Sequence, residues 1–173
     1  MSETNWVRKL EAAVKPIVLI SALLLLVFYG FSREARADVS LEAGATFLSG
    51  EYAKGQTMIL SEKFDRYSVS VGYITDQIVI DRSKTRNELR ANIFLQAMRH
   101  VNITEKFNLG VGVAYFNGTN RALGSNFTIA LLVRYDLSDR LSLNIRHYSN
   151  AGSAPPNMGQ DMITVGYTFG RTQ

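Results

Sequence analysis

Cysteine is absent from this chain of 173 residues. Its absence excludes a disulfide framework, a thiolate zinc site and a cysteine nucleophile. The composition is compatible with an oxidising compartment but does not by itself establish one. No cluster of metal-ligating residues stands out, so we expect neither a metal nor a cofactor.

The chain also has only one tryptophan and a small net charge. The one tryptophan, Trp6, lies in the N-terminal stretch, so an aromatic belt in the rest of the chain must consist of Tyr and Phe. The net charge is +4, and loss of residues 1–37 would remove five basic and three acidic residues and leave +2. No basic patch is interleaved with aromatics, so nucleic-acid binding is not expected.

The N-terminus has the three parts of an export signal. Basic residues precede an apolar run over residues 17–31, and the small-x-small box Ala35-Arg36-Ala37 follows it. The run has about 15 residues, whereas a spanning helix needs roughly 20. A retained membrane anchor is the alternative, but the pattern favours a signal peptide over residues 1–37, cut before Asp38.

Residues 38–173 are dominated by alternation with a period of two. One face of the first segment carries Val39, Leu41, Ala43, Ala45 and Phe47, as expected for a strand with one apolar face. No helical period or second domain stands out. The second and third strands, near residues 56–63 and 67–80, are less regular, and we expect a bulge or an early strand end at 58–60 and at 78–80.

The connections decide which all-β fold is expected. Short turns near residues 63–66, 102–106 and 138–140 alternate with longer segments over 49–55, 81–85, 117–126 and 150–160. That succession predicts an eight-stranded antiparallel up-and-down transmembrane β-barrel in the outer membrane. A soluble sandwich is the alternative. The barrel interior would then hold the charged residues Glu42, Glu88, Arg90, Arg134, Asp136 and Arg146.

Three polar residues interrupt apolar faces in the last two strands. His147 and Ser149 share a face with Leu141, Leu143 and Ile145, and Asp161 opens the apolar face of the final run. A hairpin with His147 opposite Asp161 also pairs Ile145 with Ile163, Leu143 with Val165 and Leu141 with Tyr167. This register predicts an acid that orients a histidine, a histidine that deprotonates a serine, and a serine that attacks an acyl carbon. If both termini are periplasmic, the three groups lie on the lipid-facing wall near the outer rim.

These residues resemble the outer-membrane lipid A 3-O-deacylase (PagL) family. The likeness is densest in the segment 147–152 (HYSNAG), then in Pro156-Asn157, Gly159 and Asp161. The resemblance implies that Ser149 is the nucleophile, His147 the general base and Asp161 the orienting acid. Asn157 and the backbone N–H of Gly152 would form the oxyanion hole.

Beyond the site, the resemblance implies hydrolysis of the 3-position hydroxyacyl ester of lipid A in lipopolysaccharide, with no metal or cofactor. The chain departs from the family in two features. The family has Glu where this chain has Asp161. Outer-membrane barrels commonly end on an aromatic residue, whereas here four residues follow Phe169. A phospholipase on the same scaffold and a non-catalytic structural or adhesive barrel remain alternatives. A homodimer is left open.

Overall fold

The chain folds into antiparallel β-strands. The computed structural model describes residues 38–48, 51–80, 86–117, 123–153 and 159–169. Within these ranges no helix is long and apolar enough to cross a membrane. The strands are β1 Asp38–Leu48, β2 Glu51–Phe64, β3 Tyr67–Ile74, β4 Gln77–Ile80, β5 Arg86–Leu89, β6 Asn92–Asn102, β7 Phe107–Phe116, β8 Phe127–Asp136, β9 Leu141–Ser149 and β10 Gln160–Phe169.

Eight of these strands close into a barrel. The wall runs β1, β2, β3, β6, β7, β8, β9, β10, and β10 pairs back onto β1 from Val39↔Phe169 to Leu48↔Gln160. Closure leaves the wall no open edge, which a structure in hydrocarbon requires because unpaired backbone groups there find no water. The predicted eight-stranded up-and-down barrel is confirmed.

The two short strands β4 and β5 form a hairpin that pairs with the first part of β2. The third strand, which the sequence predicts near residues 67–80, is therefore interrupted at Thr75 and Asp76, just before the irregularity expected at 78–80. At this break, side chains accept hydrogen bonds in place of strand carbonyls. The N–H of Gln56 donates to Thr75 Oγ1 at 2.9 Å, and the N–H of Ala91 donates to Asp76 Oδ1 at 2.6 Å.

Two sequence predictions for β2 are wrong. No bulge occurs at 58–60, where pairing with β1 is continuous; the shift instead lies between Thr46 and Leu48. Alternation also holds there, since Ile59 is buried and Met58 is exposed. The segment 49–55 was expected to be a loop, but β2 already begins at Glu51. This extension has the β4–β5 hairpin as its partner, which local alternation could not reveal.

The two faces of the wall differ in polarity. Along β9 and β10 the outward positions other than His147, Ser149 and Asp161 are apolar and exposed, and most inward positions are polar and buried. Exposed aromatics lie near strand ends on the outer face, the position of the interfacial girdles of outer-membrane barrels: Tyr67, Tyr115, Phe127, Tyr135, Tyr167 and Phe169. This reversal of the usual soluble pattern is the arrangement of a barrel that contacts lipid.

Most of the predicted interior charges lie inside the barrel. Glu42 and Arg146 are buried and paired, while Arg134 and Asp136 form a half-buried pair with Nε to Oδ1 at 2.8 Å. Arg90 is exposed, contrary to prediction, because it falls in the gap between β5 and β6 where strand parity lapses. The side chain of Glu88 lies outside what the structure describes.

Candidate active site

The pairing of β9 with β10 sets the geometry of the candidate site. His147 lies opposite Asp161, and Ile145, Leu143 and Leu141 lie opposite Ile163, Val165 and Tyr167. This is the register expected from matching apolar partners, so the cross-strand pairing is confirmed. His147 and Asp161 therefore meet on the outward face.

His147 and Asp161 are hydrogen-bonded. The distance from His147 Nδ1 to Asp161 Oδ1 is 2.7 Å, and the two side chains are 42% and 37% exposed. A carboxylate oxygen only accepts, so Nδ1 carries the hydrogen of the neutral ring and Nε2 presents its lone pair. In this tautomer the imidazole can take a proton from a hydroxyl.

Ser149 ends β9 on the same outward face as His147. Its Oγ accepts a hydrogen bond from the N–H of Ala151 at 3.1 Å. Two residues after Ser149 the backbone becomes left-handed, with φ of 54° at Ala151 and 77° at Gly152. Glycine tolerates this conformation, but a side chain makes it costly at Ala151. The serine therefore sits where the chain turns sharply away from the strand.

Asn150 fixes this turn, a role that the sequence did not indicate. It is buried, and its Nδ2 donates to the carbonyl of Leu123. Its Oδ1 accepts from the N–H of Gly152 at 2.8 Å, and its carbonyl accepts from the N–H of Ser153 at 3.0 Å. The alternation that places Tyr148 inside the barrel also places Asn150 inside it. It does not reveal that the partner of Asn150 is the distant Leu123.

These contacts bear on the expected oxyanion hole. The N–H of Gly152 is engaged by Asn150 in this conformation, so it must change partner to reach a developing oxyanion. Asn157 lies outside the described residues, as do Pro155 and Pro156. The arrangement of this hole stays a prediction.

The inward face of β9 anchors the strand behind the candidate site. Tyr148 is fully buried, its hydroxyl donates to Gln96 Oε1 at 2.6 Å, and its ring packs edge-on against Phe94 and Phe116. Arg146 donates to Glu42 in two hydrogen bonds, one of them 2.7 Å long. Both neighbours of His147 in sequence are thus held in the interior, which fixes where its imidazole projects.

Apolar residues surround the polar pair along the wall. Leu131 of β8 lies opposite His147, and Phe47 of β1 lies opposite Asp161; both are exposed on the outer face. Within the described ranges no group of three or more potential ligands could hold a metal ion. The site therefore presents an imidazole and a hydroxyl on an outer face that hydrocarbon chains can contact.

The chain matches one known protein family. The model of the family "Lipid A 3-O-deacylase (PagL)" matches residues 66–169, more than half of the chain, including β9 and β10. The chain belongs to this family. It is accordingly an outer-membrane β-barrel, and at the level of the family a lipid A deacylase.

Solved barrels of similar architecture carry low sequence identity. The crystal structure of the outer membrane enzyme PagL is 20% identical, with a TM-score of 0.45 over 76% of this chain and 97% of that one. Ail of Yersinia pestis is 13% identical, with a TM-score of 0.46 over 77% and 99%. OprG of Pseudomonas aeruginosa is 13% identical, with a TM-score of 0.44 over 78% and 97%. No curated protein matches.

Proposed function

We propose that this protein is a serine esterase that hydrolyses the 3-O-linked hydroxyacyl chain of lipid A. The observation that carries the proposal is the hydrogen-bonded His147–Asp161 pair on the outward face, with Ser149 two residues further along the same face. Membership of the deacylase family supports the substrate. Beyond family membership, we propose the serine esterase mechanism and the 3-O-linked ester as the bond that is cleaved.

Acylation begins at Ser149. Its Oγ attacks the ester carbonyl carbon while His147 Nε2 accepts the hydroxyl proton. Asp161 holds the ring in the required tautomer and stabilises the imidazolium that forms. The bond between the carbonyl carbon and the 3-position oxygen of the sugar then breaks, and His147 returns the proton to the leaving oxygen. A water molecule, deprotonated by His147, releases the hydroxy fatty acid.

The oxyanion of each tetrahedral intermediate needs donors. We assign these to Asn157 and to the N–H of Gly152, following the family resemblance. In this assignment the Gly152 N–H leaves Asn150 Oδ1 for the oxyanion, and the conformational freedom of glycine allows its peptide to rotate. One donor of this kind contributes about 10²- to 10³-fold to turnover.

The location of the pair suits a lipid substrate. With both termini periplasmic, the end of β9 faces the outer leaflet, where lipopolysaccharide resides. The exposed side chains of Leu131 and Phe47 flank the polar pair and can contact acyl chains. The ester would be hydrolysed without lipid A leaving the membrane.

The alternatives make different demands on the site. A purely structural or adhesive barrel gives no reason for a base and an acid to pair on a lipid-facing wall, where unpaired polar groups cost a few kcal/mol. A phospholipase would use the same groups on another ester. The comparisons do not support the homodimer left open by the sequence, and it is not part of the proposal.

Substrate choice is tested with purified protein in detergent micelles. Lipid A and a diacyl phospholipid are supplied separately, and released fatty acids are measured by mass spectrometry. Release of a 3-hydroxy fatty acid from lipid A, lost in His147→Ala, is expected. Release from the phospholipid alone would favour the phospholipase.

A further inference from the structure

A network of two buried amides and a hydroxyl lies on the inner face of the wall, directly behind Asp161. Thr46 of β1, Gln160 of β10 and Gln77 of β4 are 0%, 0% and 2% exposed. The Thr46 hydroxyl donates to the carbonyl of Asp161 at 3.2 Å. Polar groups buried this deeply are paired, because water cannot satisfy them. The network therefore includes the backbone of the residue that bonds to His147.

Gln160 joins β10 to two residues of β1. Its Nε2 carries two hydrogens, which it donates to Thr46 Oγ1 and to the carbonyl of Phe47, the latter at 2.8 Å. Its Oε1 lies 3.5 Å from Gln77 Nε2, at the start of β4. The side chain of Gln160 therefore connects three strands at the level of Asp161.

This junction coincides with an irregularity in the wall. The register of β1 against β2 shifts between Thr46 and Leu48, and Phe47 has no register partner on β2. Phe47 keeps its partner on β10, which is Asp161. The amide of Gln160 gives the Phe47 carbonyl a hydrogen bond where the ladder with β2 is interrupted. The pairing of β1 with β10 around Asp161 therefore depends on side chains as well as on the ladder.

Gly55 closes the network on the side of β2. A Cβ at Gly55 would lie 2.6 Å from Gln77 Cγ and 2.8 Å from Thr46 Cγ2. Non-bonded carbon atoms prefer a separation of about 3.5–4.0 Å, so the glycine is what lets both side chains approach β2. The network is tightly packed and has little room to rearrange.

We propose that Thr46 and Gln160 are positioning residues of the candidate site, which hold the backbone of Asp161 so that its carboxylate meets His147. This inference rests on the proposed function. The Asp161 side chain is short and 37% exposed on the outer face, so the place of its carboxylate follows that of its backbone. A displacement of about 1 Å in a catalytic geometry can cost about 10²-fold in rate.

The kinetic test compares two valine variants of buried threonines. Thr46→Val removes the hydroxyl that donates to Asp161 and should lower kcat for lipid A about 10- to 10²-fold, with KM changed by less than about twofold. Gln160→Met should act in the same direction, whereas Thr46→Ser keeps the hydroxyl and should retain most of the wild-type kcat. Thr57→Val is the matched control, because Thr57 is 1% exposed and its hydroxyl donates to the Tyr73 carbonyl at 3.1 Å, between β2 and β3.

Proton NMR of the folded protein in micelles reports the bond between His147 and Asp161 without turnover. The Nδ1 proton of His147 is assigned by its loss in His147→Ala. Its resonance should move upfield in Thr46→Val, because the hydrogen bond lengthens, and should stay in place in Thr57→Val. His100, whose Nδ1 is hydrogen-bonded inside the barrel, is the reference that neither valine variant should change.

Heat-modifiable migration in gels verifies that each variant is folded. Wild-type kcat and an unchanged His147 resonance in Thr46→Val would overturn the proposal, as would an equal loss of kcat in Thr57→Val. A folded wild type that does not deacylate lipid A, but whose His147 resonance responds to Thr46→Val, would contradict the proposed function and support the role of Thr46 in placing Asp161.

Discussion

At the scale of single residues, the candidate site consists of a polar pair in apolar surroundings. His147 and Asp161 satisfy one another through one hydrogen bond of 2.7 Å. Asp is one methylene shorter than the Glu of the family, and direct cross-strand pairing with His147 brings its carboxylate within reach. This hydrogen bond places the hydrogen of the neutral imidazole on Nδ1 of His147.

Asp161→Asn should lower kcat by about 10²- to 10⁴-fold, because an amide can donate to Nδ1 and so select the wrong tautomer. Asp161→Glu, which restores the residue of the family, should keep most of the activity. Hydroxy fatty acid release from lipid A measures both. Wild-type turnover in the Asn variant would show that Asp161 does not orient His147.

Asn150→Ala should lower activity about tenfold or more, since the carbonyl of buried Leu123 loses its partner and the turn loses the hydrogen bond from the Gly152 N–H to Asn150. Leaving a buried carbonyl unpaired costs about 1–3 kcal/mol. Ser153→Ala is the matched control, because Ser153 is exposed in the same turn. Unfolding in denaturant and turnover are compared for the two variants. Equal behaviour of both would contradict a role for Asn150 in holding the turn.

At the scale of strands, the most predictable features depended on local patterns. The register of β9 against β10 followed from matching apolar partners, because a slip by one residue would turn each strand's apolar face inward. The interruption at Thr75 and Asp76 could not be predicted in the same way. It rests on side-chain hydrogen bonds to Gln56 and Ala91, which are distant in sequence. The bonds of Asn150 to Leu123 escaped prediction for the same reason.

Strand β9 is also held by a buried ion pair. Arg146 of β9 and Glu42 of β1 are both 3% exposed and hydrogen-bonded to each other. The alternation predicted that both point inward but not that they meet, since β10 lies between their strands. Their partnership depends on the curvature of the closed barrel.

Arg146→Met should destabilise the barrel by about 3–5 kcal/mol, because it leaves the carboxylate of Glu42 buried without its cation. The double variant Glu42→Leu with Arg146→Met should recover most of that loss. Denaturant-induced unfolding in lipid vesicles measures the free energies. A single variant as stable as the wild type would refute a structural role for the pair.

At the scale of the whole molecule, the described residues from Asp38 onward form a closed barrel whose two ends differ. Beneath the candidate site the interior holds the aromatic cluster of Tyr148, Phe94 and Phe116 among buried amides such as Gln96, whereas the opposite end holds His100 and Asn108. The aromatic cluster packs behind β9, the strand that carries His147. Alternation identified which residues point inward but not where along the barrel axis this cluster lies.

Export and processing also belong to this scale. The sequence predicts a signal peptide that is cut before Asp38. N-terminal sequencing of protein purified from the outer membrane should then read Asp38-Val39-Ser40. A chain that retains residues 1–37 would contradict the signal peptide and favour the membrane anchor.

The central claim is that Ser149 attacks an ester of lipid A. Mass spectrometry of lipid A from cells that express the wild-type chain, beside cells that express Ser149→Ala, tests it most directly. Heat-modifiable migration in gels verifies that both proteins are folded. We predict loss of one hydroxyacyl chain with the wild type and unchanged lipid A with Ser149→Ala. Equal deacylation by both proteins would contradict the assignment of the nucleophile, and unchanged lipid A with folded wild type would contradict the proposed activity.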